Sequence, residues 1–139
     1  SFDHGTLVVL QVTPGTENNF IGWSGDSGIC SDSSTTCLFT MTANTTITAT
    51  FTRNQYTLSV VVTGGGSVDS VDGFINNCKA ATGTCTHLYD FGTTVTLDAT
   101  DGGGDSFSVW GADAAGCTND PSACAISIDA TPSVTALFN

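Results

Sequence analysis

The chain has 139 residues, and 13 acidic side chains face only two basic ones, for a net charge of −11. A phosphate backbone or an anionic membrane surface would be repelled, so nucleic acid is excluded as a partner. No apolar run is long enough to cross a bilayer as a helix, so no membrane span is expected in this chain.

Charged residues make up only 11% of the chain, and Thr, Ser, Gly and Asn take their place. That composition suits hydroxyl-rich outer faces of strands in a secreted protein. The chain starts with Ser1 and shows no signal peptide, so the sequence reads as a mature or trimmed form.

The local pattern is period two throughout. Thr6 to Thr13 is rich in β-branched residues and ends at Pro14-Gly15, a turn signal. Phe20 to Trp23 reads as a short strand, and Ser24 to Thr36 as a Gly/Ser/Asp-rich loop. Strands at Cys37–Thr42 and Thr45–Phe51 flank Ala43-Asn44, which reads as a two-residue hairpin turn. Gln55 to Thr63 is the next strand, and Gly64-Gly65-Gly66 turns it into Ser67–Val71. An irregular stretch over residues 72–83 follows, then strands at Cys85–Phe91 and Thr93–Thr100. No helical period is found. Short strands spaced by turn signals predict an all-β fold of immunoglobulin-like β-sandwiches.

The chain also repeats itself without a gap. Phe20, Trp23, Asp26, Cys30, Cys37 and Phe51 recur 87 positions later as Phe107, Trp110, Asp113, Cys117, Cys124 and Phe138. Such a repeat is a fold-level signal. It predicts two tandem units, 1–53 and 54–139. The first lacks a counterpart of the segment from about Tyr56 to His87. The linker near Arg53 is too short for a free hinge, and Phe51–Tyr56 reads as one continuous strand joining the units.

The cysteines fall as Cys30/Cys37, Cys78/Cys85 and Cys117/Cys124, each pair seven positions apart. The shared spacing favours three local disulfides over a zinc site, whose ligands sit in tighter knuckles. Disulfides place the protein outside the cytoplasm.

FIGWSGD, a cysteine pair, FTMTANTTITATF and then YTLSVVVTGGGSV together resemble the divergent internalin-type B-repeat of large bacterial surface proteins. The second unit departs from that pattern, with Val-Trp-Gly-Ala-Asp where Gly-Trp-Ser-Gly-Asp is expected. The resemblance implies a small β-sandwich module, extracellular, on a bacterial cell surface or secreted. It implies no catalysis and no cofactor.

Trp23, Trp110, Phe20, Phe107, Phe51 and Phe138 are expected in the cores, with sugar stacking the other role open to the tryptophans. Asp26 and Asp113 fit loop caps, or a calcium site, as does the cluster of Asp98, Asp101 and Asp105. Lys79 reads as a solvated lysine rather than an isopeptide donor. Asn44 lies in an Asn-Thr-Thr sequon and is a glycosylation candidate. His4 and His87 are isolated, and no nucleophile elbow, zinc-helix motif or phosphate loop is present.

A first unit without its opening strands would expose a β-edge and apolar side chains such as Val8, Leu10 and Ile47. The expected function is therefore a structural element of an extracellular fibre or stalk. It is either one piece of a longer array or a pilus-like subunit whose open edges take strands from other copies of itself. The competing reading is an adhesive module that binds glycans.

Overall fold

The computed structural model describes residues 1–26, 29–30, 33–114, 117 and 124–139, so the loop expected at Ser24–Thr36 is described only in part. The chain divides into two compact units, Ser1–Asn54 and Gln55–Asn139. No α-helix is present among the described residues. The joining segment is not one unbroken strand. Asn54 interrupts it, donating its backbone N–H to Glu17 O and its Nδ2 to Thr16 O, both at 2.9 Å.

The first unit holds two antiparallel ribbons. β1 (Leu7–Gln11) pairs with β3 (Thr36–Thr40), and β2 (Asn18–Gly25) pairs with β4 (Ile47–Arg53). The second unit contains β5 (Gln55–Thr63), β6 (Ser67–Ser70), β7 (Thr86–Asp90), β8 (Thr94–Thr100), β9 (Phe107–Ala112), β10 (Cys124–Ser127) and β11 (Ser133–Phe138). These strands form a three-stranded sheet, β10-β8-β6, and a four-stranded sheet, β7-β5-β11-β9. Every contact between neighbours is antiparallel except β5 with β11, which is parallel.

Alternation explains the packing. Leu58, Val60 and Val62 of β5 and Val134, Ala136 and Phe138 of β11 point one way, and Val95, Leu97, Cys124 and Ile126 of the other sheet answer them in one shared core. The second unit is thus a two-sheet sandwich, with its core closed between the sheets. The hydroxyl-rich alternate positions, such as Thr63, Ser133 and Thr135, lie exposed.

The two units agree strand by strand. Leu10 opposes Cys37 as Leu97 opposes Cys124, and Trp23 opposes Ala49 as Trp110 opposes Ala136. β1, β2, β3 and β4 are therefore the twins of β8, β9, β10 and β11. Residues 1–54 contain no counterpart of β5, β6 or β7 among the described residues.

The hairpin expected at Ala43-Asn44 does not form. β3 and β4 lie in different ribbons, and the turn carries the chain from one to the other. The second unit repeats this crossover between β10 and β11. Period-two patterning and a turn signal are the same whether the chain folds back or changes sheets, so the sequence alone misleads here.

Disulfides join Cys30 to Cys37, Cys78 to Cys85 and Cys117 to Cys124, with Cα atoms 5.7, 4.9 and 5.1 Å apart. The Cys78–Cys85 bridge closes the segment between β6 and β7, and Cys78 is fully buried. Replacing Cys78 and Cys85 together by Ala is expected to cost about 2.5 kcal/mol of stability by the loop-closure estimate, or more through the lost core contacts, as read by urea unfolding.

Candidate functional site

The site is best built from what the second unit does with the strands that the first unit shares. β8 is central there, with β6 on one side and β10 on the other. β11 is central too, between β5 and β9. Their twins β1 and β4 each have one sheet partner among the described residues, β3 and β2. One whole side of each ribbon is therefore an edge, with backbone N–H and C=O groups directed outward.

The aromatic triads show the consequence. Phe107 packs on Trp110 and Phe138 at centroid distances of 5.1 and 5.6 Å. Phe20 packs on Trp23 and Phe51 at 5.4 and 5.5 Å. The local geometry is the same, yet Phe138 is 2% exposed and Phe51 is 43% exposed. Phe51 therefore does not sit in a core as the sequence suggests. What covers Phe138 is the glycine turn after β5. A Cβ built on Gly66 would lie 2.1 Å from the Phe138 ring, and one on Gly64, at φ +98°, 2.3 Å from the Phe138 carbonyl oxygen. Only glycine lets the turn lie this close. Among the described residues, the first unit places no such turn over Phe51. Gly66→Val is expected to destabilise the second unit by about 1–3 kcal/mol through overpacking, measured by urea unfolding, with the Trp110 fluorescence reporting the displaced ring.

Trp110 is buried, and Trp23 is half-buried with its indole N–H donating to Ser34 O at 2.8 Å. Phe20 and Phe107 are half-buried. Asn44 and Lys79 are exposed, and Lys79 exchanges backbone bonds with Thr82 in a turn. His4 is exposed beside a shallow cavity of about 200 Å³ bordered by Phe2 and Asn44.

The aspartates close turns. The Asp26 carboxylate accepts the Thr46 N–H at 2.5 Å while its own N–H donates to Thr46 O at 2.9 Å. Asp113 repeats this with Ser133, at 2.7 and 2.9 Å. Both clamps fix where the following strand, β4 or β11, begins. Asp101 accepts the Phe107 N–H at 2.7 Å, and Asp105 accepts the Gly65 N–H at 2.9 Å, which ties the glycine turn to the loop before β9.

The segment that covers the second unit's edges carries its own lock, which sequence reading missed. Asp72 accepts from Ser70 Oγ at 2.5 Å, the Phe74 N–H at 3.1 Å and Tyr89 OH at 3.2 Å. The Phe74 ring stacks on His87 at 4.1 Å, and His87 meets Tyr89 edge-on at 4.7 Å. Burial raises the Asp72 carboxyl, but the three hydrogen bonds and the nearby His87 outweigh it and hold it below its usual value. Burial pushes the Tyr89 hydroxyl up to about 12, helped by the Asp72 charge and hydrogen bond and opposed by the Ser70 bond. The folded state therefore holds the Tyr89 proton more tightly than the unfolded chain. The stability this contributes is complete below pH 10 and declines as pH rises from 10 towards 12. An alkaline absorbance titration is expected to show a tyrosinate step near pH 12 that Tyr89→Phe abolishes.

No curated protein and no solved structure matches the chain. A family model does match, over the residues that form the first unit together with the opening residue of the second. Residues 1–55, which carry the FIGWSGD and FTMTANTTITATF motifs, match the divergent InlB B-repeat domain.

Proposed function

We propose that the chain is a non-catalytic structural protein of an extracellular bacterial surface fibre or stalk, in which strands of one protomer complement the open edges of another. The B-repeat match and the three disulfides point to an extracellular or cell-surface protein. The observation that carries the finer reading is the contrast between twins. β8 and β11 are covered by β6 and β5, while β1 and β4 have no second sheet partner among the described residues. Strand addition supplies what such an edge wants, backbone hydrogen bonds for affinity and alternate side-chain contacts for register. If each contact joins unlike surfaces, the assembly propagates as a filament.

A second reading, a glycan-binding module, has one observation in its favour: Trp23 is half-buried where its twin Trp110 is buried. Glycan-dependent changes in Trp23 fluorescence would favour that reading.

Electron microscopy of the protein as isolated, without ligand, tests the fibre. Regular fibres are expected, with added strands seen along β1 and β4. Dispersed particles of one or two units in width would overturn strand sharing between protomers.

A further inference from the structure

Tension along the chain enters the second unit at Gln55, the first residue of β5, and leaves it past Phe138, the last residue of β11. These two strands are neighbours in one sheet and run parallel, with Ser59 to Thr63 opposite Ser133 to Leu137. The entry end of β5 and the exit end of β11 therefore lie at opposite ends of the pair. A pull on the chain drives the two strands past each other along their own axes. The bonds between them lie across that motion and must yield together. Antiparallel neighbours loaded from one shared end would instead peel apart bond by bond.

The surroundings of the pair fit that load. Ser59 N–H donates to Pro132 O at 3.0 Å, while Val60 N–H turns the other way and donates to Cys85 O at 2.8 Å. By that alternation Ser59, Val61 and Thr63 direct their backbone groups at β11. Val60, Val62, Val134 and Ala136 are buried, which shields the bonds from water on the core face. β7 holds Gln55–Ser59 of β5 from the other side, and β9 holds β11 from Val134 to Phe138. The exit end also carries a stop. Gly64 follows Thr63 as Phe138 follows Leu137, so the glycine turn begins where β11 ends and closes over the Phe138 ring. Sliding β11 outward presses that ring into the turn, and the pull on β5 draws the turn down onto it. The bond from Gly65 N–H to Asp105 keeps the turn in place.

We propose that β5 and β11 form a shear clamp, by which the second unit bears tension applied along the chain. The inference rests on the reading that the chain is an element of a stalk or fibre, and it names the strands that carry the load. Connectivity supports it. β4, the twin of β11, ends at Arg53, and β5 begins at Gln55. Asn54 alone separates the last strand of one unit from the first strand of the next, so tension passes into β5 with no slack loop. Neither disulfide of the second unit ties β5 to β11, so no covalent link relieves the pair of that load.

Single-molecule pulling on the whole chain tests the clamp. Handles are placed at Ser1 and Asn139, or at Ser1 and a thiol introduced by Thr131→Cys. Thr131 is exposed and precedes β11, so the second placement loads β11 from the same end as β5 and peels the pair. The second unit is longer than the first, so its step is recognised by the length it releases. It is expected to yield at a force at least about twofold higher in the first placement, because several bonds break together there. Val61→Pro removes an N–H aimed at β11 from a residue whose side chain is 52% exposed. It is expected to narrow the gap between placements, and Val61→Thr, which keeps the N–H, to preserve it. A variant that only loosens the fold would lower both forces alike and leave the gap. Equal wild-type forces in the two placements, or a gap that survives Val61→Pro intact, would overturn the proposal. The wild-type comparison stands even if the proline variant does not fold. A strong clamp in chains that electron microscopy shows dispersed would uphold the clamp and remove strand sharing between protomers. Fibres whose units yield equally in both placements would remove the clamp and leave the fibre standing.

Discussion

Every backbone N–H and C=O in a sheet needs a partner, and the strands that lack one on a side decide how the rest of this protein behaves. In the second unit β8 and β11 have that requirement met from within, each lying between two strands. β5 and β6, joined by Gly64–Gly66, reach across both sheets at once and pair with β11 and β8. One hairpin-like segment thereby closes two edges and the core between them. β7 then extends the larger sheet, and the bridge from Cys78 to Cys85 holds the intervening segment against β6. The strength of this arrangement is that the covering segment is continuous with the unit it covers.

The first unit shows what the shared strands achieve without that segment. Its registers are those of the second unit, its aromatic triad is in place, and its aspartate clamp sets the start of β4 as Asp113 sets that of β11. Local pairing therefore does not depend on the cover. Burial does. Val8 and Cys37 are the buried apolar residues of the first unit among those described, while β8, β10 and β11 bury nearly every inward side chain. Hydrogen bonds and turn chemistry specify the ribbons, and the hydrophobic core is completed only by added strands.

Much of this was legible in the sequence. The alternation in Thr6–Thr13 and Gln55–Thr63 marks β1 and β5, and the common spacing of the cysteines gives their pairing. The unbroken 87-position repeat points to the missing strands, because a gapless match cannot hide a lost element inside it. Other features were not legible, for physical reasons. Ala43-Asn44 has the composition of a hairpin turn, but which sheet a strand joins is decided by distant partners. The parallel pairing of β5 with β11 leaves no mark on either strand, since both are buried on one face in either orientation. Phe51 shares its motif with Phe138, and its exposure is set by glycines that lie outside that motif. Asp72, Ser70 and Tyr89 come together from two strands and a loop, with no local spacing to announce them.

Charge and edge chemistry act together in this chain. At −11 its copies repel at long range, and a nonspecific apolar contact gains little against that field. A strand pairing gains several directional backbone bonds at once, and only in register. The same reasoning explains why the outer face of β8 can be Thr94, Thr96 and Asp98: its edges are already satisfied, and polar side chains there keep a closed sandwich soluble.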